Sequence, residues 1–230
     1  MMEKMQNRMM KMYQMFAWLG LIIVLIAFWV ALTSGSSANA AFFADSKAIR
    51  EAASSGSAFA IANATRHSVV TWVPAFKFLG LGIMLGAITM ALGLIATTLR
   101  NLGKDVMALW PADLNPGTPD KPLQAKMFPM IMIMGWLVLI IGFVWALALS
   151  GTVFSYWNHS IAAELNPAEV GSVLLNQLGL IQAQLPWLAF LRFLGMAFLF
   201  TGITVALTVI IRTLQHQEKA LQTFVKARQA

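Results

Sequence analysis

Cysteine is missing from all 230 positions, which removes disulfides, iron–sulfur clusters, thiolate metal sites and cysteine nucleophiles together. Charge is scarce as well. Only 11% of the residues are Asp, Glu, Lys or Arg, where a soluble domain carries about 25%. The nine acidic residues all lie outside the long apolar runs. Proton relays and cation-coupled pumps normally place such a group at depth, so both classes are disfavoured. Histidine occurs three times, as His67, His159 and His216, never inside an apolar run and never twice on one helix at ligand spacing. A transmembrane bis-histidine haem therefore has no support. Gly-x-Ser-x-Gly, a phosphate loop, His-Glu-x-x-His and a paired-carboxylate constellation are absent too, so the chain reads as non-enzymatic, with no catalytic residue, cofactor or metal assigned.

What remains is apolar: 59% of the chain, against about 45–50% in soluble proteins. Four stretches carry the excess, at about residues 15–33, 72–98, 128–150 and 187–211. At 1.5 Å per residue each can cross a hydrocarbon core about 30 Å thick, and each is too long for a barrel strand of about 9–11 residues. The expected fold is an all-α integral membrane protein with four transmembrane helices.

Eleven of the sixteen Lys and Arg residues fall in the N-terminal segment, the loop from Arg100 to Lys126 and the tail from Arg212. The other two loops hold Lys47, Arg50 and Arg66, offset by Asp45, Glu51, Glu164 and Glu169. The positive-inside rule then puts both termini in the cytoplasm, with a prokaryotic inner membrane as the expected location. The net charge of +7 reads as topology and contact with anionic lipid, without a fold motif for nucleic acid. Ala38-Asn39-Ala40 resembles a signal-peptidase site. The preceding apolar run exceeds the usual 7–15 residues, so the first span is expected to be retained.

A shift of 115 residues brings the chain onto itself. It aligns Lys11 with Lys126, Gly20 with Gly135, Trp72 with Trp187, Phe78-Leu79-Gly80 with Phe193-Leu194-Gly195, and Ile88-Thr89 with Ile203-Thr204. Scattered Leu and Ala pairs would follow from apolar composition alone; tryptophan, glycine and lysine on one shift point to duplication. The expected organisation is two tandem, parallel helical hairpins related by a pseudo-twofold axis along the membrane normal: a first repeat at 1–110, a proline-rich inner linker at 111–125 and a second repeat at 126–230. Short amphipathic helices are expected in both outer loops, the second opened by a capping box at Asn166, Pro167 and Glu169. A polar helix is expected from Gln215 onward.

Two features of the spans invite a functional reading. Gly82, Gly86, Thr89 and Gly93 share one face of the second helix, and the shift converts them to Ala197, Thr201, Thr204 and Thr208. Small residues so spaced let helices approach closely; a substrate path is the sharper alternative. Lys77 and Arg192 are equivalent charges just inside the outer ends of their spans. They read as snorkelling anchors, with contact to a lipid or quinone head group, a partner subunit or a solute as alternatives.

Aromatic and sulfur side chains complete the picture. His159, between Trp157 and Ser160, is the histidine best placed for an interfacial contact. Trp18, Trp72, Trp157 and Trp187 suit an aromatic belt, and Trp29, Trp136 and Trp145 are expected between helices. Methionines cluster before the first and third spans; copper is the tempting reading, and packing the plainer one. The leading functional expectation is an accessory subunit of a larger membrane complex, bound to other subunits and lipid. A channel or transporter for a small neutral or anionic solute, and a quinone- or lipid-binding subunit, are the alternatives.

Overall fold

The computed structural model describes residues 2–44, 46–111, 122–166 and 172–229, and among these there is helix and no strand. In chain order the helices are α1 (Met2–Val30), a π-helical turn (Ala31–Gly35), α2 (Ser36–Phe43), α3 (Lys47–Glu51), α4 (Ala58–Met107), α5 (Leu123–Trp157), α6 (Ile161–Leu165) and α7 (Ser172–Gln229). Four helical segments are long and apolar enough to cross a membrane: Lys11–Phe43, Ala58–Met107, Leu123–Trp157 and Val173–Arg228. These contain the four expected spans.

The ends differ from expectation in an instructive way. Thr33 to Ser37 reads as a stop, yet the helix passes through a wider π turn and continues to Phe43. The hydroxyls that would favour a loop bond back to the helix instead, Thr33 Oγ1 to Trp29 O at 2.8 Å and Ser37 Oγ to Ser34 O at 3.3 Å. Pro74, Pro129 and Pro186 likewise lie inside helices. Each removes one N–H, a loss that neighbouring helices can absorb in a membrane protein. The amphipathic segment from Ser172 is therefore the start of α7 and not a separate outer helix. Residues 215–229 continue the same helix, as the polar tail pattern suggested.

Between α2 and α4 stands the short helix α3, capped by Ser46, whose side chain accepts from Ile49 N. Gly56, at φ +71, breaks the chain before α4, a conformation that glycine adopts without steric penalty. Ser57 Oγ then accepts from Ala60 N and starts α4. Pro167 and Glu169 of the expected capping box and most of the proline-rich linker, 112–121, lie outside the described residues; Asn166, which follows α6, is exposed. α5 begins at Leu123, inside the expected linker.

By compactness the chain forms two units, one of Met1–Leu19, Ile83–Gly135 and Ala197–Ala230, the other of Gly20–Gly82 and Trp136–Met196. In the second, Ala75, Ala146, Leu149, Val153, Tyr156, Leu174, Ile181 and Leu188 form one buried cluster, and Ala27, Val69 and Val73 another; Trp72 packs against both. Gly80 lets α4 close on α1, since a Cβ there would stand 2.9 Å from Gly20 O. In the first unit, Gly202 faces Met132, whose sulfur would lie 2.8 Å from an added Cβ, and Gly93 faces the Phe128 ring at 3.3 Å. Methionine here fills the space beside glycine, which is the packing use of that side chain.

Candidate functional site

The sequence-selected residues separate into buried and exposed groups. Gly82, Gly86 and Thr89 are buried, and Gly93 is half-buried. Trp136 Nε1 donates to Gly82 O at 3.1 Å, using the backbone that the missing side chain uncovers. In the equivalent stripe, Ala197, Thr201 and Thr204 are exposed, with Thr208 half-buried. The three threonine hydroxyls donate within their own helix, to Ala197 O, Phe200 O and Thr204 O at 2.8, 3.0 and 2.9 Å. Their protons are spent within their own helix.

Lys77 and Arg192 are both half-buried, and Arg192 Nε donates to Leu188 O of its own helix at 2.9 Å. Between them in the same unit, Phe78 and Phe193 meet edge to face with centroids 5.5 Å apart. Trp187 is 59% exposed and touches Phe190 edge-on. Trp29, expected between helices, is 64% exposed, because the helix running from Lys11 to Phe43 is the least covered of the four. Trp145 is bonded through its indole N–H to Gln184 Oε1 at 2.7 Å. His159 Nδ1 donates to Ser155 O at 2.9 Å and lies 3.2 Å from Tyr156 O, so it caps the C-terminus of α5.

The densest polar chemistry is elsewhere, where the α3–α4 and α5–α6 connections meet in the unit that holds Gly20–Gly82 and Trp136–Met196. Asn63, 2% exposed, uses both ends of its amide. Its Oδ1 accepts from Arg66 Nε at 3.0 Å, and its Nδ2 donates to the Glu164 carboxylate at 3.2 and 3.4 Å. Arg66 also donates to His67 Nε2 at 3.3 Å, which requires a neutral imidazole, and His67 stacks on Trp157 with centroids 4.0 Å apart. Tyr156 OH donates to Glu164 O at 3.2 Å. Two backbone clasps hold the loops together, Gly56 N to Asn158 O at 3.0 Å and Ser160 N to Ser55 Oγ at 2.9 Å.

Burial pushes the Glu164 carboxyl up to about 7, partly opposed by the Asn63 amide and the Arg66 charge. On the other side of Arg66 are two rings. Its Cζ stands 4.2 Å from the Phe42 centroid and 5.4 Å from that of Phe43, and Arg50 Cζ lies 5.1 and 5.0 Å from the same rings. Arg50 Nη1 also donates to Phe42 O at 3.4 Å.

Sequence reasoning passed over Asn63, Arg66, His67 and Glu164. It treated Glu164 as a loop acid offsetting loop charge, and only contact with Asn63, 101 residues away, gives it a role. One local signal was present: Asn63 and Arg66 are three apart, on one face of a helix. Comparison with protein families, curated proteins and solved structures finds no match to the chain.

Proposed function

We propose that the chain is a non-catalytic accessory subunit of a membrane complex, built as two tandem helical hairpins, that docks on another subunit through the Ala197, Thr201 and Thr204 face of α7. The carrying observation is the contrast between the two stripes. Gly82, Gly86 and Thr89 are buried within this chain, whereas Ala197, Thr201 and Thr204 stand exposed on a span. Helix association in lipid gains little from apolar area and much from close backbone approach, so an uncovered small-residue face is suited to a partner helix. The self-satisfied threonine hydroxyls favour packing over solute conduction.

The duplication is supported by contacts between shift-equivalent positions. Phe78 meets Phe193, and Leu102 with Gln217 and Val106 with Leu221 line one cleft of about 150 Å³. Equivalent residues meet each other when they lie next to a twofold axis. The basic inner loops place both termini in the cytoplasm in this reading, and Lys77 and Arg192 anchor the outer ends of their helices near anionic lipid or partner groups.

Purification from the native membrane in a mild detergent tests the assignment. Stoichiometric partners are expected to co-migrate, and Thr201→Leu with Thr204→Leu is expected to release them without unfolding the chain. A lone oligomer that conducts a solute in liposomes, or partners retained in full by the double variant, overturns it.

A further inference from the structure

We infer that Arg50 and Arg66, gathered on the Phe42 and Phe43 rings, form a binding site for a phosphate-class oxyanion. Both guanidinium carbons lie between 4.2 and 5.4 Å from the same two ring centroids, so two positive charges share one aromatic platform. Ring faces attract each cation but do not neutralise either. Among the described residues the ion pair within 4.0 Å is Lys47 with Glu51, and none of the described carboxylates lies at that distance from either arginine. Glu164 is the acid nearest in effect to Arg66, and Asn63 stands between them as a neutral bridge.

Among the described residues the donors also remain underused. Arg50 spends one N–H on Phe42 O, and Arg66 spends two groups on Asn63 and His67. A guanidinium has five N–H donors in a planar fork that matches the spacing of phosphate oxygens, and two such groups gathered on one pair of rings suit a tetrahedral anion. Phe43 and Ile49, both exposed, add an apolar shelf next to the cations. That combination fits a phospholipid head group with its chain alongside, and the cation pair alone fits free phosphate. This inference is independent of the accessory-subunit reading.

The test uses the full chain in a neutral maltoside detergent at constant ionic strength. It is titrated separately with phosphatidylglycerol, phosphatidylcholine and inorganic phosphate, following thermal unfolding and retained lipid by native mass spectrometry. Phosphatidylglycerol is expected to raise the unfolding midpoint saturably. Arg50→Gln is expected to weaken that response about tenfold, the loss of roughly one charge-assisted contact, while Lys47→Gln leaves it unchanged. Arg50→Lys should recover only part of it, because an ammonium cannot offer the fork. A response to phosphatidylglycerol alone assigns a lipid head group; an equal response to inorganic phosphate assigns the free anion. Arg66→Gln also loses the Asn63 bond, so Arg50→Gln decides if that variant fails to fold. No saturable response to either anion, or equal responses in wild type and Arg50→Gln, overturns the site.

Discussion

Glu164 illustrates how a single carboxyl can carry a pH dependence that its sequence neighbours do not announce. The groups facing it are Asn63, Arg66 and the hydroxyl of Tyr156, with Arg50 acting at longer range through Arg66. Its folded-state value of about 7 lies above the ordinary carboxyl value of 4.5, so the folded chain holds the proton more tightly than the unfolded chain. Stability from this group is thus fully present below about 4.5 and is lost as the pH rises through about 7. In detergent the wild-type thermal midpoint is expected to fall between pH 5 and pH 8 relative to that of Glu164→Gln, a permanently neutral isostere, which should exceed wild type above pH 7 while matching it near pH 4. A wild-type profile parallel to that of Glu164→Gln would refute the assignment. Tyr156 sits beside it, 1% exposed, with its hydroxyl on Glu164 O. Tyr156→Phe keeps the ring and leaves that bond unmade, so chemical denaturation should report a loss of about 1 kcal/mol.

Helices meet where side chains are absent, and the glycines show which meetings are tight. An added Cβ at Gly80 would lie 2.9 Å from the Gly20 carbonyl oxygen and from the Ile23 and Val24 methyls, whereas at Gly179 it meets nothing within 4 Å. Backbone cannot give way as a flexible side-chain tip can. Gly80→Ala should therefore cost roughly 1–3 kcal/mol by forcing α4 off α1, and Gly179→Ala should gain about 0.5–1 kcal/mol through helix propensity. Unfolding in a denaturing detergent titration separates the two, and equal shifts would refute the close approach.

Gly80 was legible beforehand as one of the residues that recur at the 115-residue shift, and so were the four spans, because long apolar runs depend only on composition along the chain. Helix ends were not. Thr33 and Ser37 look like terminators, but their hydroxyls bond to the preceding turn of the helix. The Arg66, Asn63 and Glu164 cluster was illegible because its members come from α4 and α6, and no periodicity links them. The exposure of Trp29 escaped for a related reason: hydropathy says that a residue is in the span, not which side of the helix is covered.

For the molecule as a whole, duplication and orientation are separate claims and need separate tests. A chain without cysteine is a ready background for both. If the two hairpins are related by an axis passing between Phe78 and Phe193, then Phe78→Cys with Phe193→Cys should cross-link within one chain under mild oxidation, seen as a mobility shift reversed by reductant. The ring contact at 5.5 Å motivates the pair, and Phe78→Cys with the exposed Phe200→Cys serves as the mismatched control. The proposed orientation rests on charge. In it the three segments that hold eleven cationic residues face the cytoplasm, and an even number of crossings returns the C-terminus to the side of the N-terminus. Ser54 and Gln215 are exposed positions on opposite ends of the first and last hairpins in that arrangement. In intact bacterial cells a membrane-impermeant maleimide is expected to label Ser54→Cys at once and Gln215→Cys only after permeabilisation. The reverse pattern would invert the protein and place the Arg50 and Arg66 cluster on the cytoplasmic leaflet. Labelling of both positions from one side would mean an even number of crossings between them, where the paired hairpins require three, and the arrangement would have to be abandoned.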